Sequence, residues 1–279
     1  MDTSFSTLNL FHDQYGTTHH IQRLETEGYT VISGVLATDL IEKLMTRISQ
    51  IKQRTLTNKS GISPNQMRDK IVYHLQFIDS CFLHLISSFD YGLKLIDHFL
   101  SDPNYRNIPY CNFLLGSLNA RSSVEELPLH IDNYFPGTGY FPNSMQMVFS
   151  LSGQTRENGC TFLVPKSHLS GTYPMNSAET IDVYCNPGDV IVWDSRIWHG
   201  AHENKSGTDR WSIVATFRPW FMKQNFDIVK GSSQDLYNEW TVFEKTLLGF
   251  LSIAPNGTTD ERINLKQSID ELRVNLDDY

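Results

Sequence analysis

From Tyr105 to Arg218 the sequence breaks into short runs of β-forming residues separated by Gly, Pro and Asn. That texture limits the fold more than any other feature of the chain. Tyr110 to Asn119, Met145 to Leu151, Thr161 to Val164, Ile181 to Cys185, Val190 to Trp193 and Trp211 to Arg218 each read as a strand. Short strands with turn signals between them build a sandwich, barrel or jelly roll. Asn186-Pro187-Gly188-Asp189 fits a type II turn, with proline fixing φ at the second position and glycine supplying positive φ at the third.

The flanks read as helical. Glu27 to Ile32 is a turn feeding a short strand, and Thr38 is an N-cap signal. Leu40, Ile41, Leu44, Met45, Ile48 and Ile51 then recur at the helical period. Thr55 to Met67 is a polar loop, and helical patterning resumes from about Asp69 to Phe89 and from Tyr91 to Leu100. His74, His84 and His98 in these stretches read as core-edge or surface residues. After Gly231, Leu236, Trp240, Phe243, Leu247 and Phe250 make one apolar stripe. Thr258 and Glu261 suit a capping box for a last helix carrying Leu265, Ile269, Leu272 and Leu276. The expected class is therefore mainly β with flanking helices (α+β), a single domain over 1–279. A helix-rich part spans about 20–104, a jelly-roll (double-stranded β-helix, cupin-like) core about 105–222, and C-terminal helices about 232–279.

A net charge of −8 and a pI near 5.6, without a Lys/Arg cluster, argue against a nucleic-acid or anionic-membrane partner. No apolar run reaches the ~18 residues of a membrane span, and the start lacks a secretory pattern. The expectation is a soluble, cytoplasmic protein. Cys81, Cys111, Cys160 and Cys185 show no CxxC or zinc-ligand spacing and read as buried thiols of a reducing compartment.

Leu129-His130-Ile131-Asp132 places an imidazole and a carboxylate two residues apart, on one face of a strand. Such a pair is two thirds of a non-haem iron site, which takes a second histidine and keeps coordination positions open. His199, in Trp198-His199-Gly200, is the best supplier. His202, three residues on, faces the other side of an extended segment. Arg210 opens the last strand and shares a face with Ser212, Val214 and Thr216. A buried arginine there needs a carboxylate partner, and its planar fork suits a dicarboxylate better than lysine would.

These stretches resemble the phytanoyl-CoA dioxygenase-like branch of the Fe(II)/2-oxoglutarate oxygenases. The likeness runs from about Glu27 to Phe221. It includes the opening Glu27-Gly28-Tyr29 and the run from Asn158 through Val164-Pro165-Lys166-Ser167-His168, where Lys166 stands at a usual glycine. It also includes Gly188 to Trp193, His199-Gly200, Asn204 and Arg210. The resemblance implies that His130, Asp132 and His199 bind Fe(II). By the same likeness Arg210 and Ser212 hold the distal carboxylate of 2-oxoglutarate, Asn119 also touches that co-substrate, and Ser167 and His168 brace the barrel.

The implied reaction consumes O₂ and 2-oxoglutarate, releases succinate and CO₂, and hydroxylates a small organic molecule. Desaturation, epoxidation or ring formation share the same residues. Related halogenases replace the carboxylate ligand with a small residue, so Asp132 points to halide-free oxidation. Tyr134, Phe135, Met145, Gln146 and Trp220 are expected around the substrate, together with Tyr140 and Phe141 at the mouth. A non-catalytic jelly-roll binding protein is the competing class. The joint presence of His130, Asp132, His199 and Arg210 counts against it.

Overall fold

The computed structural model describes residues 16–57, 70–101, 113–122, 124–133, 135–175 and 177–250. Among the described residues, ten strands form two antiparallel sheets. They are β1 (Tyr29–Ile32), β2 (Ile71–Val72), β3 (Phe113–Ser122), β4 (Leu127–His130) and β5 (Met145–Ser150), then β6 (Thr161–Val164), β7 (Ile181–Val183), β8 (Val190–Asp194), β9 (Trp198–Ala201) and β10 (Trp211–Pro219). The larger sheet has the order β1-β8-β5-β10-β3-β2, and the smaller β4-β9-β6-β7. Sequence-distant strands thus become neighbours, as in a jelly roll. Asn186 accepts from the Asp189 N–H across the expected turn, with Gly188 at φ +91.

Period-2 alternation sends each strand of the larger sheet two ways. Met145, Met147 and Phe149 of β5 and Ile213, Ala215 and Phe217 of β10 join a core shared with the helices. Val148 and Val214, one residue out of phase, face the smaller sheet; Val148 packs there with Leu163, Ile191 and Ile197. Complete burial of Phe149 and Phe217 contributes about 1.5–3 kcal/mol each by area.

The helices are α1 (Gly16–Glu27), α2 (Thr38–Thr57), α3 (Ser80–Ser87), α4 (Asp90–Leu100), α5 (Ile228–Gly231), α6 (Gln234–Glu239) and α7 (Val242–Leu247). Helix α1 escapes the sequence pattern because His20 and Leu24 are its only buried residues. Helix α2 starts at Thr38 itself, one residue earlier than a Thr38 cap requires, with the Ala37 carbonyl accepting from the Ile41 N–H. The helix expected from Asp69 to Phe89 is broken. Ile71–Val72 pairs with β3, His74 takes a left-handed φ of 59, and the Asp79 carboxylate caps α3 by accepting from the Cys81 N–H at 3.0 Å. The stripe after Gly231 packs on the core but is two helices. Trp240 ends α6, and Thr241 with Glu244 forms a capping box for α7. The box expected at Thr258, its helix, Cys111 and most of the Thr55–Met67 loop lie outside the described residues. No helix among the described residues is long and apolar enough to cross a membrane.

Candidate metal centre

His130 ends β4, and β4 pairs with β9 so that His130 lies opposite His199. Between Leu127 and His130 the register slips by one. A bulge of this kind rephases a strand, and here it lets Leu127 and His130, three apart, face the same cavity. Gly200 makes the strand contact possible, since a Cβ there would sit 2.4 Å from the Leu127 carbonyl oxygen. Asp132 lies just past the end of β4, with its N–H donating to the Ser195 carbonyl at 2.9 Å. Two residues on from His130, it faces the same point.

The ligand atoms of His130, Asp132 and His199 lie within 4.8 Å of one another. His130 Nε2 is 3.6 Å from one Asp132 oxygen and His199 Nε2 is 3.4 Å from the other. Each ring turns Nδ1 to a backbone carbonyl two residues back, that of Pro128 at 2.9 Å and that of Ile197 at 3.0 Å. Nδ1 is therefore the donor and Nε2 keeps its lone pair for the centre, the outer-sphere arrangement usual for metal-binding histidines. Trp193 Nε1 donates to the Asp132 carboxylate at 3.3 Å, and its ring packs 5.1 Å from that of His199.

The charges are tightly linked. Burial alone would raise the Asp132 pKa, but the His199 and His130 rings outweigh it and hold the carboxyl at about 2. Burial opposes charge on His130, yet Asp132 lifts its pKa above the ordinary value. Enclosure of His199, with His130 adjacent, leaves that ring below it.

Arg210 and Ser212 line the same cavity, of about 100 Å³, alongside Arg121 and Thr161. Burial and the neighbouring Arg121 lower the Arg210 pKa to about 10, so it remains a cation at neutral pH. Arg210 Nε and Ser212 Oγ are buried without a hydrogen-bond partner. Such groups are costly unless a ligand satisfies them, and both are of a kind that a carboxylate accepts from.

The other expected positions divide. Asn119 shares the inward face of β3 with Arg121, but its Oδ1 accepts from the His74 N–H at 3.1 Å. Gln146 also faces inward, in phase with Val148, and its Oε1 accepts from Thr216 at 2.8 Å. Met145 is a correction: the alternation of β5 puts it on the helix side, within the core. Phe135, Tyr140 and Phe141 are exposed, and Tyr140 donates to Glu25. Trp220 follows the end of β10 and takes no part in the cavity wall. Tyr134 lies outside the described residues.

Ser167 does brace the barrel, accepting from the Trp198 N–H at 2.8 Å and donating to the Val164 carbonyl at 2.7 Å. Lys166 adopts φ 68, a conformation that suits glycine. Sequence reasoning missed Trp193 as the partner of Asp132 and Thr161 as a wall residue. The inward phase of β8 and β6 is the signal that finds them.

The family model for phytanoyl-CoA dioxygenase (PhyH) matches residues 24–212. The chain belongs to the PhyH family. This is a family of iron- and 2-oxoglutarate-dependent dioxygenases, and the match takes in His130, Asp132, His199, Arg210 and Ser212. The uncharacterized protein Mb1539 of Mycobacterium bovis is 26% identical over 234 residues, 82% of this chain and 85% of the relative. Dioxygenase trt7 of Aspergillus terreus is 23% identical over 212 residues, 71% of this chain and 72% of the relative. Among solved structures, HygX from Streptomyces hygroscopicus with nickel and 2-oxoglutarate bound superposes with a TM-score of 0.59 at 18% identity. That superposition covers 78% of this chain and 92% of HygX, which establishes a common fold.

Proposed function

We propose that this PhyH-family dioxygenase hydroxylates a small organic molecule, with Fe(II) held by His130, Asp132 and His199 and 2-oxoglutarate by Arg210 and Ser212. One observation carries the reading. Two imidazole nitrogens and a carboxylate converge on a point in the cavity, whose wall also holds Arg210 Nε and Ser212 Oγ, both buried without partners. A facial two-histidine, one-carboxylate set leaves positions open for a chelating co-substrate and O₂. Bound iron with 2-oxoglutarate supplies O₂ activation, coupled to release of succinate and CO₂ and to oxidation of a substrate C–H bond.

The protein's own residues do the positioning. The Pro128 and Ile197 carbonyls fix the histidine tautomers, Trp193 orients the carboxylate, and Arg210 sets the register of the co-substrate by a charge-assisted contact. Asp132 fills the position that a halide would need, which favours hydroxylation over halogenation. The test is anaerobic addition of 2-oxoglutarate to the Fe(II)-loaded protein. Chelation gives a visible charge-transfer band, and its absence at saturating 2-oxoglutarate contradicts the reading.

A further inference from the structure

The outer face of the smaller sheet carries a second group of metal-ligating side chains. Cys160 directly precedes β6, Asp182 lies in β7, and His202 directly follows β9. Register places Thr161 opposite Val183 and Ala201. Thr161 and Ala201 face the cavity, so Cys160, Asp182 and His202, each one residue out of phase, face away from it. Their ligand atoms lie within 4.8 Å of one another.

The contacts at this cluster conflict. His202 Nε2 is 2.7 Å from Asp182 Oδ1 and 2.8 Å from Arg156 Nη1. One ring nitrogen cannot donate to the carboxylate and accept from the guanidinium at the same time. Arg156 Nη1 also stands 3.2 Å from both Asp182 oxygens. The guanidinium nitrogen therefore occupies the place of a small cation between carboxylate and imidazole. Its side chain is 65% exposed, so it can leave to solvent with little loss.

We propose that Cys160, Asp182 and His202 form a second divalent-metal site, of the zinc class, in which the ion replaces the Arg156 guanidinium. Sulfur, nitrogen and oxygen from three strands, with water in the fourth position, suit a borderline-soft tetrahedral ion. Tetrahedral bond lengths of about 2.0–2.3 Å require neighbouring ligand atoms about 3.3–3.7 Å apart. The His202–Asp182 contact opens by roughly half an ångström, which side chains 15% and 18% exposed can accommodate. Burial, then the Asp182 charge, pushes the Cys160 thiol up to about 11. The thiol proton is released to solvent as the sulfur–metal bond forms, so affinity rises with pH. An ion here ties β6, β7 and β9 together behind His199.

Cobalt titration of the metal-free full chain separates this site from the cavity. A thiolate-to-cobalt charge-transfer band is expected in the wild type and in His130→Ala. It is lost in Cys160→Ser, His202→Ala and Asp182→Asn, each of which keeps one equivalent of cobalt at the cavity. Removal of the exposed guanidinium in Arg156→Ala tightens cobalt binding by about fivefold, a gain that an adventitious thiol does not show. A wild type without the band, a band that survives in Cys160→Ser, or unchanged affinity in Arg156→Ala overturns the proposal.

Discussion

The Trp193 indole N–H donates to Asp132 Oδ2 at 3.3 Å, joining the larger sheet to the carboxylate of the candidate metal centre. Trp193 sits on β8, opposite Gln146 of β5, so the orientation of a side chain beyond β4 is set by a strand of the other sheet. Trp193→Phe keeps the ring packing and removes the donor. Iron affinity should fall by about tenfold, the lower end for loss of an outer-sphere partner. The check is Fe(II) competition against a calibrated chelator. Unchanged affinity removes Trp193 from the account.

Gly200 links the fold to the candidate metal centre by close approach. A methyl group there meets both the Leu127 carbonyl oxygen and the Phe162 ring, at 2.4 and 2.5 Å. Gly200→Ala is therefore expected to cost about 1–3 kcal/mol of stability through overpacking, and to weaken iron binding by separating β4 from β9. Denaturant unfolding and the chelator competition measure the two effects, which should fall together.

Arg210→Lys tests the co-substrate anchor. An ammonium cannot reproduce the paired donors of guanidinium. Loss of a charge-assisted bidentate contact, about 1.5–3 kcal/mol, raises the KM for 2-oxoglutarate by about one to two decades. An unchanged KM places the anchor elsewhere. Arg121, which lines the same cavity, is then the first alternative.

Asp79 gives a pH-dependent prediction away from the metal. Burial pushes its carboxyl up, but the Cys81 N–H and the Arg47 guanidinium, 2.6 Å away, outweigh this and hold the pKa below 3.8. A depressed folded-state pKa gives stability that is present above the unfolded value and is lost as pH falls through the folded one. Asp79→Ala should cost about 1–2 kcal/mol at pH 7 through the lost helix cap and partly exposed ion pair. The difference from wild type should shrink below pH 3.8. Denaturant melts across that range decide it.

The parts of this molecule legible in the sequence are those in which one periodicity dominates. Strands β5, β6, β7, β8 and β10 and the apolar face of α2 stand out as runs of their own period between turn residues. His130 and Asp132 were legible as a pair because residues two apart share a face, whereas His199 was named from its own stretch, Trp198-His199-Gly200. The stretch from Ile71 to Ile78 was not, because its apolar residues fit a helix and a strand alike, and the left-handed turn at His74 decides between them. Met145 was misplaced because Met147, Val148 and Phe149 are all apolar, so the strand does not announce which face meets the cavity. Trp193 and the one-residue bulge before His130 depend on pairing between distant strands, which no local pattern encodes.

Succinate formation from 2-oxoglutarate by the purified full chain, with Fe(II), ascorbate and O₂, tests the assignment of the metal centre most directly. Even without the substrate, slow uncoupled turnover is expected from the wild type. His130→Ala, Asp132→Ala and His199→Ala should each abolish it while circular dichroism stays unchanged, because these side chains lie outside the apolar core. Near-native succinate release by any one of the three at saturating iron, or none by an iron-loaded wild type, contradicts the assignment.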